Sequence, residues 1–147
     1  MFKVLQIDHI GIAVKDEHAI AKFLTEAGVA FCGSEMVAEQ QVSAAIYDIA
    51  GVRIELLAAT VAESPIAKFI EQKGGGIHHI ALRVDNLEAA LAYFASRGYP
   101  LIDDVPRLGV GGKLIAFLHP KATGGILIEL SQVVAGTGKN ASPVKTD

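Results

Sequence analysis

Residues 8–14 read Asp8-His9-Ile10-Gly11-Ile12-Ala13-Val14, and residues 78–84 read His78-His79-Ile80-Ala81-Leu82-Arg83-Val84. The two stretches lie 70 positions apart, and both alternate large apolar residues with small or polar ones, as a half-buried strand does. A helical pattern follows each strand, over 16–28 in the first case and over 86–98 in the second. The match predicts an internal repeat of one structural module.

The two predicted helices have matching ends. Asp16 and Asn86 suit the N-cap position, where a side-chain oxygen accepts a backbone N–H, and Gly28 and Gly98 suit the position just after the C-terminus. Both pairs again lie 70 positions apart, which supports the repeat.

Each module closes with a strand that carries a glutamate between apolar residues, Arg53-Ile54-Glu55-Leu56-Leu57 in the first and Leu127-Ile128-Glu129-Leu130-Ser131 in the second. The offset here is 74 positions, and we assign the extra residues to a longer hairpin around 119–125. The element order of each module is therefore β-α-β-β-β. We predict an α+β fold in which two tandem βαβββ modules form a curved, mostly antiparallel sheet with the helices outside.

The repeat also predicts the domain organisation. We expect a single domain over residues 1–134, with module one at about 5–60, a linker helix at about 64–73 and module two at about 76–133. Ser64 is the predicted N-cap of the linker helix, and Pro65 suits its first turn. The tail, 135–147, has no aromatic residue and is predicted to be disordered.

Composition excludes several classes of protein. The 147 residues are 51% apolar and carry a formal net charge of −3, which argues against nucleic acid as a partner. Cys32 is the single cysteine, so neither an intramolecular disulfide nor a cysteine-based zinc site is available. No apolar run approaches the roughly 18–20 residues of a membrane helix. Gln6, Asp8 and His9 interrupt any signal-peptide core, and we expect a cytoplasmic protein with no membrane partner.

Four polar residues occupy equivalent places in the two modules: His9 and His79 in the first strands, and Glu55 and Glu129 in the last. The apolar neighbours of each belong in the core, so alternation turns all four side chains toward the inside of the sheet. Each residue alone has an ordinary explanation, as a hydrogen-bonded strand histidine or a solvated glutamate. The symmetric set instead predicts one divalent metal ion, such as Co, Mn, Ni, Fe or Zn. We also expect the imidazole of His79 to face a wet cavity without packed partners.

A glycine-rich segment at 109–113 resembles a phosphate-binding loop, but Leu114 stands where such a loop requires Ser or Thr. We therefore reject a nucleotide-hydrolase function and consider the segment a flexible flap. Arg107, Lys113 and Lys121 could meet an anionic substrate, although surface solvation is the expected role of each taken singly.

Five stretches carry a resemblance to a known family. The chain resembles the glyoxalase, or vicinal oxygen chelate, superfamily, and within it the methylmalonyl-CoA epimerase family. The similar stretches are 8–14, Ser64-Pro65-Ile66-Ala67-Lys68-Phe69, Gly76-Ile77-His78-His79-Ile80-Ala81, Ile115-Ala116-Phe117-Leu118-His119-Pro120-Lys121 and 125–132. The resemblance implies a glyoxalase-like fold and epimerisation of methylmalonyl-CoA, an acyl-CoA thioester, at C2. It also implies a homodimer with one complete site per chain.

Carried over residue by residue, the resemblance assigns the metal ligands to His9, His79 and Glu129, with Glu55 at a fourth position. Glu129 and Glu55 are also the predicted catalytic acid–base pair. One departure concerns Ala44, which stands where some epimerases have a glutamate proposed as a base. Two alternatives stay open: a glyoxalase I-type lactoylglutathione lyase, whose ligand set is similar, and a metal-free binding protein on the same fold.

Overall fold

The computed structural model describes residues 1–135 of the chain. Of the predicted disordered tail, 135–147, all but residue 135 therefore lies outside the described residues. The backbone divides into two compact units. We call residues 9–78 the first-half unit, and residues 1–8 together with 79–135 the second-half unit.

Helices and strands follow the predicted order. In chain order they are β1 (Val4–Ala13), α1 (His18–Glu26), β2 (Ala30–Val37), β3 (Val42–Ile49), β4 (Val52–Ala59), α2 (Pro65–Lys73), β5 (Gly76–Val84), α3 (Leu87–Ser96), β6 (Arg107–Leu108), β7 (Leu114–Phe117) and β8 (Ile128–Gln132). Both β-α-β-β-β modules are thus present, joined through α2, and the predicted α+β class is confirmed.

The two modules have the same strand arrangement. In the first the strand order is β2-β3-β4-β1, and in the second it is β6-β7-β8-β5. The first and last strands of each module, β1 with β4 and β5 with β8, run parallel, while the other pairs within a module are antiparallel. The prediction of a mostly antiparallel arrangement is confirmed at the level of each module.

Each unit has its own apolar core between its sheet and its helix. In the first-half unit Leu24 of α1 packs with Ala45, Tyr47 and Leu56. In the second-half unit the core consists of Val84, Leu87, Ala90, Leu91, Ala116, Leu118 and Leu130. Because Leu56 and Leu130 point into these cores, their neighbours Glu55 and Glu129 lie on the opposite face of the strand, as the alternation predicted.

The N-terminal ends of the helices largely match the prediction. Asn86 caps α3 by accepting a hydrogen bond from the Ala89 N–H at 3.0 Å, and Ser64 caps α2 through the Ile66 N–H at 3.1 Å. Asp16 is not the N-cap of α1. It accepts a hydrogen bond from the His18 N–H at 2.9 Å, and the helix starts one residue later with Glu17 at the N-cap.

Residues 1–8 contribute to the second half of the chain rather than to the first. The Lys3 N–H donates to Asp85 at 2.8 Å, and the Phe2 ring packs against Tyr93 and Phe94 of α3. The sequence repeat alone would have placed the first strand wholly in module one. Within residues 1–135, no helix has the length and apolar character needed to cross a membrane.

Candidate active site

In the first-half unit, His9 and Glu55 lie on one face of neighbouring strands. Gly11 of β1 is the direct partner of Glu55 in β4, so His9 projects beside that glutamate. His9 Nε2 lies 3.5 Å from Glu55 Oε1, and both side chains are buried. The predicted convergence of these two residues is therefore present within this unit.

Arg53 contacts this pair through Glu55, and the sequence analysis missed it. Its guanidinium donates to Glu55 Oε2 at 3.2 Å, and the arginine is itself buried. A buried carboxylate needs such a partner, since an unpaired charge in a low-dielectric interior is costly. The signal was available, because Arg53 stands two positions before Glu55 and so shares its face of β4.

In the second-half unit, His79 and Glu129 form the equivalent pair. Ala81 of β5 is the direct partner of Glu129 in β8, and His79 Nε2 lies 2.9 Å from Glu129 Oε1. Phe117 is the partner of Glu129 in β7, and its ring lies almost perpendicular to the His79 ring, with centres 5.4 Å apart. The expectation of an imidazole without packed partners is therefore wrong, because His79 is buried against an aromatic ring.

A second group of charges is buried in the same unit. Lys113 Nζ donates to both carboxylate oxygens of Asp8, at 2.7 and 2.8 Å, and Arg83 also donates to Asp8, from Nε at 2.9 Å. Asp8 is fully buried and Lys113 nearly so. Surface solvation, the role expected for Lys113, is wrong. Because the glycine-rich turn ends at this lysine, the turn is anchored by a buried ion pair, which argues against a freely moving flap.

Ala44 leaves no carboxylate at its position of β3, as the sequence implied. It is completely buried and faces the same side as Glu55, since Leu57, its partner in β4, is two positions from that glutamate. Across from Ala44 on β2 is Glu35, a half-buried side chain on the same face. The carboxylate next to this position is thus carried by the neighbouring strand.

Two other residues of reactive type, His78 and Cys32, lie outside the two histidine–glutamate pairs. His78 stands next to His79 in β5 and so faces the other way, and its ring contacts the Phe69 ring with centres 4.8 Å apart. Burial and the nearby Asp48 carboxylate raise the pKa of the Cys32 thiol, an effect that Arg53 partly opposes. A protonated thiol is a poor nucleophile, so Cys32 does not offer an alternative reactive centre.

Comparison with known proteins gives concordant matches. Residues 8–117 match the family model described as the glyoxalase/bleomycin resistance protein/dioxygenase superfamily. The chain is 40% identical to an uncharacterized protein of Bacillus subtilis, over 86% of this chain and 91% of that protein. It is 35% identical to the mitochondrial methylmalonyl-CoA epimerase of Homo sapiens, over 86% of this chain and 73% of that protein. Among solved structures, a methylmalonyl-CoA epimerase in complex with methylmalonyl-CoA and NH4+ is 34% identical, with a TM-score of 0.83 over 90% of this chain and 97% of that one.

Proposed function

Because the chain belongs to the glyoxalase/bleomycin resistance protein/dioxygenase superfamily, we propose that it is an isomerase that interconverts the (R) and (S) forms of methylmalonyl-CoA. The observation that carries the proposal is the paired placement of a buried histidine and a buried glutamate in each module. The relatives named methylmalonyl-CoA epimerase support the choice of substrate. The expected cytoplasmic location belongs to the same proposal.

We assign His9, His79 and Glu129 as ligands of one divalent metal ion, with Glu55 at a fourth position. His9, His79 and Glu129 are all buried, and they offer the nitrogen and oxygen ligand atoms that Co, Mn, Ni or Zn bind. Two ligands bound at about 2.0–2.2 Å with an angle of roughly 90–110° lie about 3–3.5 Å apart. The separations of 3.5 Å for His9 and Glu55 and of 2.9 Å for His79 and Glu129 fit such bonding. When bound, the ion supplies Lewis acidity toward an acyl carbonyl.

Glu129 and Glu55 are the proposed acid–base pair. Epimerisation removes the weakly acidic proton at C2 and returns one to the opposite face, so it needs two groups, one as a base and one as an acid. Glu55 is held in orientation by Arg53, which also balances its charge. Glu129 is fixed between β5 and β7, with Phe117 excluding water from one side of its histidine partner. Both glutamates are therefore preorganised rather than mobile.

The test is exchange of the C2 proton of methylmalonyl-CoA with deuterium, followed by NMR on the metal-loaded protein together with epimerisation of one pure isomer. The wild type should catalyse both, and Glu129→Gln should lose roughly 100-fold or more, the range of a general acid–base group. Glu71→Gln, an exposed glutamate of α2, is the matched control and should keep full activity. Full activity of Glu129→Gln with its metal still bound would remove the assignment.

A second substrate, tested beside methylmalonyl-CoA, separates the alternative functions. Turnover of methylglyoxal with glutathione, without activity on methylmalonyl-CoA, would instead identify a glyoxalase I-type enzyme. Absence of metal in protein purified without chelator, together with inactivity on both substrates after metal addition, would identify a binding protein.

We also propose the homodimer that the resemblance implies. Leu5 and Ile7 on one face of β1 and Val4 on the other are exposed apolar side chains, with 55%, 43% and 51% of their surfaces accessible. Exposed apolar side chains grouped on one strand favour association. Light scattering coupled to size-exclusion chromatography should give twice the 15.4 kDa mass of the chain.

A further inference from the structure

Arg107 lies on the same sheet face as the proposed catalytic glutamate of the second-half unit. Arg107 of β6 is the direct partner of Ile115 in β7. Two positions along β7, on the same face, Phe117 is the direct partner of Glu129. Of the three cations singled out in the sequence, Lys113 is buried on Asp8 and Lys121 is exposed in the turn after His119. Of these three, Arg107 is the one that both lies on the sheet face of Glu129 and is accessible, with 37% of its side chain exposed.

Two contacts orient its guanidinium group. Asp103 accepts a hydrogen bond from Arg107 Nε at 3.1 Å, and its other oxygen accepts one from the Phe117 N–H at 2.8 Å. The guanidinium carbon lies 5.7 Å from the centre of the Phe117 ring, a cation–π distance. The His79 ring packs against the same Phe117 ring, with centres 5.4 Å apart, so the arginine and a proposed metal ligand share one aromatic neighbour.

The outer nitrogens of Arg107 remain available. Only its Nε has a hydrogen-bond partner among residues 1–135, so the two Nη groups keep their donors. An arginine fixed at Nε presents these donors as a planar fork that matches the two oxygens of a carboxylate. Such an oriented and accessible fork is a specific anion-binding group rather than a solvated surface charge.

We propose that Arg107 binds the free carboxylate of the acyl group and thereby selects thioesters of dicarboxylic acids. The inference rests on the proposed function. In a malonyl thioester the free carboxylate is two bonds from the thioester carbonyl carbon, whereas the phosphates of CoA are separated from it by the whole pantetheine arm. Arg107 and His79 contact the same Phe117 ring, and this common neighbour favours the carboxylate as the ligand of Arg107. Arg107 is thus a specificity-determining residue, and it need not move a proton.

The experiment compares two ligands that undergo no net epimerisation and that differ in this carboxylate. Malonyl-CoA and propionyl-CoA are titrated calorimetrically into metal-loaded wild type, Arg107→Gln and Arg107→Lys. Arg107→Gln should weaken malonyl-CoA binding roughly 10- to 100-fold, the usual effect of losing hydrogen bonds to a charged group, and leave propionyl-CoA binding unchanged. Arg107→Lys keeps the charge without the fork and should fall between. In the epimerase assay the same loss should be seen in KM more than in kcat, as expected for a contact made equally in ground and transition states.

Arg97→Gln is the matched control, since Arg97 also lies over an aromatic ring, 4.9 Å from the centre of Tyr93, but at the end of α3. It should leave both affinities unchanged. An equal loss of both ligands in Arg107→Gln would mean a phosphate contact and would overturn the inference, as would no loss of either. A wild type that epimerises methylmalonyl-CoA while Arg107→Gln binds malonyl-CoA normally refutes the inference alone. A wild type that neither binds nor turns over malonyl thioesters refutes the proposed function and this inference with it.

Discussion

Ser131 and Ser64 are two fully buried serines in opposite situations. Among the described residues Ser131 Oγ has no hydrogen-bond partner, whereas Ser64 Oγ accepts the Ile66 N–H. Removing an unsatisfied hydroxyl relieves a desolvation cost, so Ser131→Ala should leave the stability of the metal-free protein unchanged or raise it. Ser64→Ala should cost about 1 kcal/mol, the usual value of a helix cap. Urea unfolding of both variants checks this, and a loss above about 1 kcal/mol in Ser131→Ala would show that its hydroxyl is satisfied.

Asp8 binds two cationic side chains, Lys113 and Arg83. Removing its carboxylate should therefore destabilise the protein more than removing either cation. Asp8→Ala leaves Lys113 charged and buried without this carboxylate, and we expect a loss of roughly 3–5 kcal/mol. The double variant Asp8→Ala/Lys113→Met should recover part of the loss, because it removes the stranded charge. As a control, Lys22→Met breaks an exposed pair with Glu26 on α1 and should cost under about 0.5 kcal/mol. The free energies of unfolding of Asp8→Ala, Lys113→Met and the double variant are measured in urea. If the two single losses add up to the loss of the double variant, the two residues do not stabilise one another.

For single residues, strand alternation predicted the direction of the four proposed metal ligands but did not identify their hydrogen-bonding partners. His9, Glu55, His79 and Glu129 stand among apolar neighbours whose direction the core dictates. The bond between Asp8 and Lys113 joins positions 105 apart in sequence, and no local pattern encodes such a contact. Arg53 was within reach of the same reasoning, since a charge two positions from a buried glutamate shares its face.

Helices α1 and α3 are equivalent elements that start differently. Asn86 caps α3 with its side chain, whereas Glu17 at the start of α1 makes no such bond. Asn86→Ala should therefore destabilise the protein by about 1 kcal/mol, and Glu17→Ala should cost little. Thermal or urea unfolding of the two variants gives the comparison directly. Equal losses in both would show that Glu17 contributes a cap in solution.

The repeat predicted element order more accurately than element boundaries. All eight strands and three helices of residues 1–135 occur in the predicted order, yet α1 starts at His18, because Asp16 accepts the His18 N–H and Glu17 is left at the cap. The hairpin predicted around 119–125 contains a 3-10 turn over Pro120–Thr123, in which His119 Nδ1 accepts the Lys121 N–H. Side-chain hydrogen bonds to nearby backbone compete with regular structure at such ends, and periodicity does not register them.

For the molecule as a whole, the repeat describes the order of elements but not how the chain is partitioned. Residues 1–8 belong to the unit formed by 79–135, through Phe2 on α3 and the Lys3 bond to Asp85. A repeated sequence motif records similarity between two segments, whereas packing depends on which apolar side chains meet. That is why a module boundary at about residue 5 was predicted and a boundary after Asp8 is observed.

The proposed metal ligands come from both units, with His9 and Glu55 in one and His79 and Glu129 in the other. An ion that takes ligands from both stabilises the whole chain by RT ln(1 + [L]/Kd), about 2.7 kcal/mol at a hundredfold excess over Kd. Adding Co or Mn to stripped wild type should therefore raise Tm. Because His79 packs on Phe117, His79→Ala should lose stability even without metal, and the informative quantity is the change in Tm on adding metal.

This increment should vanish in His79→Ala and persist in His18→Ala, which removes an exposed histidine of α1. His9→Ala, on the other unit, should abolish it as well. If His79→Ala loses the increment while His9→Ala keeps it in full, the ion takes its ligands from the second-half unit alone, and the assignment of His9 as a ligand falls.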